Sequence, residues 1–149
     1  MVVRSALRHA GAAKILVHRL KYQGLLAAAD PLAGAMVTRL PSCAAVLVPV
    51  PRVRVRRWRY GVDPAVELAT AVGLRSGLPV LELLAVPWWS SRHAGRARRR
   101  RGLAVFAPVG AAPAGSVLID DVLTTGATLA SAAVALGGGV RNAVTATAA

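Results

Sequence analysis

Asp120 and Asp121 are adjacent carboxylates in a chain with only 6 acidic residues against 19 lysines and arginines. The other acids, Asp30, Asp63, Glu67 and Glu82, are scattered, so a side-by-side pair in this basic background is a placed feature. Hydroxyls follow at once: Thr124, Thr125 and Thr128, with Gly126 among them. Carboxylates repel phosphate, but they accept hydrogen bonds from sugar hydroxyls and can contact Mg²⁺ or its waters. Threonine hydroxyls and the N–H groups of a starting helix suit a phosphate, and glycine lets the backbone come close to it. A sugar phosphate, with sugar at the acids and phosphate at the turn, satisfies both halves. The plainer alternative is an Asp-bearing turn that only caps a helix.

These residues need a strand before them and a helix after them. Val117-Leu118-Ile119 is a short apolar run, expected to be a buried, parallel strand that ends at the acidic pair. Leu129, Ala132, Ala133 and Leu136 recur at helical spacing, and Gly137-Gly138-Gly139 stops the helix. The helix N-terminus, with its unpaired N–H groups and partial positive charge, then falls beside the threonines. The unit also lies at the carboxyl end of a strand, where open α/β sheets bind ligands.

The run from Val117 to Thr128 resembles the phosphoribosyl pyrophosphate (PRPP) signature of type I phosphoribosyltransferases: apolar residues, Asp-Asp, an apolar pair, then Thr-Thr-Gly-Ala-Thr. The resemblance implies an α/β fold of that type, with a mostly parallel central sheet and helices on both faces. Alternating strand and helix signals along the chain point the same way. It implies transfer of ribose 5-phosphate to an acceptor with displacement of pyrophosphate. Asp120 and Asp121 would be the catalytic pair, holding the ribose hydroxyls. The PRPP site would comprise these two with Val122, Leu123, Thr124, Thr125, Gly126, Ala127 and Thr128. Mg²⁺ would arrive with PRPP, with Asp120 and Asp121 near it and no protein cage around it.

Two further elements are similar to the ComF-like (competence/GntX-type) subgroup of that family. One is Leu20-Lys21-Tyr22-Gln23-Gly24, at the end of a helix expected over residues 5–22. The other is Val48-Pro49-Val50-Pro51, followed by arginines at 52, 54, 56, 57 and 59. In the family the loop after this strand binds pyrophosphate, which assigns Pro51, Arg52 and Arg54 to that role. Cations there would stabilise charge on the departing group. A solvated basic turn explains the same arginines. Tyr60-Gly61-Val62-Asp63-Pro64 departs from the subgroup's Arg-Gly-Phe-Asn-Gln except at Gly61. The arginine run after Trp88-Trp89, including Arg92, Arg96 and Arg98, corresponds to a flexible loop that closes over the site. Read by itself it suits nucleic acid or plain solvation equally.

Other elements follow from local signals. Asp30-Pro31 reads as a helix start, with Pro41 after its end. Residues 44–48 and 78–84 read as strands, Asp63-Pro64 as a helix start, and residues 140–148 as a last strand. The organisation expected is one domain over residues 1–149, with a helical N-terminal part (1–42) and a PRPP-binding core (43–149). No apolar run is long enough for a membrane span, no leader pattern is present, and Cys43 is alone, which excludes an internal disulfide. A cytoplasmic protein is expected, either a short form or an N-terminally trimmed gene product, without the zinc ribbon that the subgroup often carries.

A net charge of +13 favours polyanions without choosing among them. The expected partners are PRPP or ribose 5-phosphate, a second copy of the chain as a homodimer, and nucleic acid held weakly by charge; no membrane is among them. Alongside the transferase stand two alternatives: a non-catalytic ComF-like protein associated with DNA uptake, and a PRPP-sensing regulator.

Overall fold

A computed structural model describes residues 1–52, 62–87 and 106–149. Its centre is a four-stranded, wholly parallel sheet of β1 (Val2–Arg8), β2 (Val46–Pro49), β5 (Ser116–Leu123) and β6 (Asn142–Ala148). The order across it is β1-β6-β5-β2. Beyond β2 the chain touches the sheet again at Val80. There the Leu47 N–H donates to Pro79 O, and the Leu81 N–H donates to Leu47 O. A two-residue antiparallel pair, β3 (Leu84–Ala85) with β4 (Ala107–Pro108), stands apart.

Helices cover both faces. On one lie α1 (Gly11–Gln23), α2 (Ala29–Val37) and α3 (Pro64–Ser76), sealed by Leu20, Leu32, Met36, Leu68 and Val72 against Leu47, Val117, Ile119 and Val144. On the other lies α4 (Ala127–Ala135), whose Leu129 and Ala132 pack with Val48, Leu118 and Ala143. Strand pleating explains the split: Val117 and Ile119 face one core and Leu118 the other. A strand buried on both faces must be apolar throughout, as Val117-Leu118-Ile119 is.

The architecture is α/β with a parallel central sheet, as expected, but several elements differ from the sequence reading. Residues 5–8 are not helical. They belong to β1, so the N-terminal part is not purely helical and joins the same sheet as the core. Helix-favouring Leu7 and Arg8 are overridden by pairing with β6, in which Leu7 sits opposite Thr147. Gly11, at φ 50°, opens α1 after the strand.

Asp30 is not an N-cap. A 3₁₀ turn over Leu26–Ala28 runs directly into α2, and the Asp30 carboxylate instead takes two hydrogen bonds of 2.7 Å from Arg75 Nη2. Of the expected strand over 78–84 only the contact at Val80 joins the central sheet, because Pro79 has no N–H to continue a ladder, while Leu84 begins β3. The acidic pair is inside β5, not after it, since pairing with β6 extends the strand to Leu123. The link before β5 depends on Gly115. Its φ is +76°, and a Cβ there would lie 2.6 Å from Cys43 O. Among the described residues no helix is long and apolar enough to cross a membrane.

Candidate functional site

The parallel strands end on one side, and there a cavity of about 560 Å³ opens. Asp120, Asp121, Val122 and Thr124 line it from β5 and its turn, and Thr128 from α4. Val50, Pro51 and Arg52 line it from the end of β2, and His9 from the end of β1. Lys14, Val17, His18, Lys21 and Tyr22, which share one face of α1, close the remaining side.

Asp121 is 7% exposed and held by cations. Lys21 Nζ lies 2.8 Å from its Oδ2, and Arg52 Nη2 lies 3.9 Å from the same oxygen. Arg52 is itself fixed. Its Nη1 donates to Lys21 O at 3.0 Å, its backbone N–H donates to Asp63 Oδ2 at 3.0 Å, and its guanidinium stands 5.7 Å from the centre of the Tyr22 ring. Its Nη2 is buried with no hydrogen-bond partner among the described residues. That donor is available to an incoming oxyanion, and leaving it unsatisfied is unfavourable.

Asp120 is in a different state. Burial pushes its carboxyl up to about 8, and the negative charge of Asp121 adds to the rise. Its Oδ1 accepts the Asp121 N–H at 2.8 Å, which only partly offsets that. At neutral pH the pair therefore carries close to one charge, not two. Asp120 lies opposite Thr145 of β6, which lies opposite Ser5 of β1, so a polar row crosses three strands. Ser5 Oγ and Thr145 Oγ1 are 2.7 Å apart.

After β5, Gly126 takes φ 75°, in the left-handed region that favours glycine, and caps α4. Thr125 Oγ1 accepts the Ala127 N–H at 3.4 Å. The opening N–H groups of α4 have no intrahelical partner, which makes this turn suited to an anion.

Of the site residues expected from sequence, Asp120, Asp121, Val122, Thr124, Thr128, Pro51 and Arg52 meet at the cavity. Leu123, Thr125, Gly126 and Ala127 form the turn behind it; Leu123 packs against the core on the α4 face. Arg54, Arg92, Arg96 and Arg98 lie outside the described residues. Sequence reasoning missed Lys14, His18 and Lys21 as a wall, although their spacing of 14, 18 and 21 was a usable helical signal. Asp63 opens α3 as the sequence reading expects, but its hold on the Arg52 backbone was missed. This carboxylate caps α3 through the Ala65 N–H and grips the Arg52 backbone, and a contact across eleven residues leaves no local trace. His9 carried no signal at all.

Among the described residues no three His, Cys, Asp or Glu side chains cluster closely enough to hold a metal by themselves. Two hard-oxygen carboxyls do face the cavity, a set suited to a magnesium ion that is shared with a ligand's phosphates. Compared with known proteins, the chain matches no family model and no curated protein.

Proposed function

We propose that this chain binds PRPP and, with Mg²⁺, transfers ribose 5-phosphate to an acceptor, releasing pyrophosphate, in the manner of ComF-like type I phosphoribosyltransferases. One observation carries the reading: the acidic pair, the threonine turn at the start of α4 and Arg52, with its buried Nη2, all meet at one hollow of ligand size. Asp120 and Asp121 would accept the ribose hydroxyls. The turn Thr124–Thr128 would take the 5-phosphate on its N–H groups and hydroxyls. Arg52 Nη2 would donate to the pyrophosphate and stabilise the charge it gains on leaving. Bound Mg²⁺ supplies neutralisation of pyrophosphate charge, and Asp120 and Asp121 are the residues suited to reach it or its waters.

Calorimetric titration with Mg²⁺ and PRPP tests this. Asp120→Asn combined with Asp121→Asn should weaken binding by tens-fold or more, since charge-assisted bonds contribute about 1.5–3 kcal/mol each. Undiminished PRPP affinity in that variant would remove the reading.

A second reading, nucleic-acid association, is favoured by the net charge of +13. It expects duplex affinity that falls with salt at a log–log slope near −0.9 per neutralised phosphate. The same double variant should bind DNA unchanged or slightly better, because two acids are gone from a basic protein. A PRPP sensor without turnover would bind PRPP and release no pyrophosphate.

A further inference from the structure

We infer that His9 is the base that takes the proton from the acceptor, an inference that rests on the proposed function. Its first support is a chain of hydrogen bonds behind the ring. The hydroxyl of Thr147, a fully buried residue, stands 3.4 Å from Asp121 O and 2.9 Å from His9 Nδ1. A hydroxyl has one proton, so the tautomer that satisfies both contacts has Thr147 donating to Asp121 O and accepting from His9 Nδ1–H. That tautomer puts the ring proton on Nδ1 and leaves the Nε2 lone pair as the basic atom of a side chain that lines the cavity. The backbone is pinned as well: the His9 N–H donates to Ala148 O at 2.7 Å.

The second support is sheet order. The acids sit on β5, with β2 on one side and β6, then β1, on the other. Arg52, which would hold pyrophosphate, follows β2. His9 follows β1, two strand spacings from β5, or on the order of 10 Å. A nucleophile enters a sugar's anomeric carbon from the face opposite the leaving group. The β1 flank is thus the acceptor's side, and His9 is on it. In the step, the acceptor's N–H or O–H atom forms the bond to the anomeric carbon. The bond to pyrophosphate breaks and its electron pair leaves with pyrophosphate. The acceptor's proton passes to His9 Nε2, and the resulting imidazolium keeps its Nδ1–H on Thr147.

Lys14, His18 and Lys21 of α1, Arg52, Asp120 and Asp121 face the same cavity, so a pH profile must be assigned by variants. The assay supplies Mg²⁺ and PRPP with water as acceptor and follows pyrophosphate. His9→Asn keeps an N–H for Thr147 but has no base at the Nε2 position. It should retain PRPP affinity, lose about 10²–10⁴-fold in rate and lose the acid limb of the pH–rate profile; added imidazole should restore part of the rate in His9→Ala. Nitrogen NMR of the unliganded protein should find the His9 proton on Nδ1, and Thr147→Val should abolish that preference. Four results overturn the inference: an unchanged rate and profile in His9→Asn, an acid limb that follows His18→Gln instead, PRPP bound but not consumed by the unaltered protein, or the proton on Nε2. Failure of the unaltered protein to bind PRPP at all overturns the function beneath it, while the NMR measurement still reads the His9 geometry alone.

Discussion

The cavity wall formed by β5 and the start of α4 is continuous in sequence, whereas the wall facing it is gathered from α1 and the ends of β1 and β2. The first carries both acids and the glycine-capped threonine turn; the second carries Lys14, His18, Lys21 and Arg52. Without ligand the two walls neutralise one another through Asp121, with Lys21 at 2.8 Å. A phosphate-bearing ligand would therefore meet one cation already paired, Lys21, beside one donor, Arg52 Nη2, that has no hydrogen-bond partner among the described residues. Affinity would come both from sharing Lys21 and from satisfying Arg52 Nη2.

The largest expected effect comes from breaking that cross-wall pair. Lys21→Met should destabilise the fold by about 3 kcal/mol, the low end for stranding a nearly buried carboxylate. Asp121→Asn in the same chain should restore much of it; denaturant unfolding of the singles and the double gives the coupling. Additive losses would mean the two walls are energetically independent.

Gly126→Ala tests the continuous wall alone. An alanine at φ 75° should cost about 1–2 kcal/mol and weaken sulfate or ribose 5-phosphate binding at the turn. Asp63→Ala tests the gathered wall: loss of the α3 cap should cost about 1 kcal/mol in thermal unfolding, with weaker pyrophosphate binding as Arg52 loosens.

The smallest effect at acid pH is Asp120→Asn. The folded carboxyl sits at about 8 against an ordinary value of 3.8, so between those values the native state keeps a proton that the unfolded chain has lost. Asp120 therefore lowers stability progressively as pH rises from about 4 to 8, and its stabilising protonated form is fully present only below that window. The variant should match the parent near pH 4 and melt at higher temperature above pH 8. A parent whose melting temperature does not fall across that range would remove the buried-acid assignment. If the proposed function holds, Mg²⁺–PRPP affinity should rise over the same interval, because the ligand would favour the ionised pair.

The contrast between the walls also explains what could be read without coordinates. Val117 to Thr128 displays strand, acids, turn and helix in one line, and Asp63-Pro64 announces α3, because caps and periodicity are local. β1 was unreadable for the opposite reason. Val2–Arg8 is short and mixed, and it becomes a strand only because β6, more than a hundred residues away, offers it an edge. His9 and Lys21 share that origin, since their partners Thr147 and Asp121 are equally remote in sequence.

Asp63 has one more consequence. By binding the N–H groups of Arg52 and Ala65 with a single carboxylate, it joins the two ends of the segment between β2 and α3 like a clasp. One side chain thus ties the start of α3 to the position of Arg52. A change at position 63 should therefore reach the cavity through Arg52, which lines it.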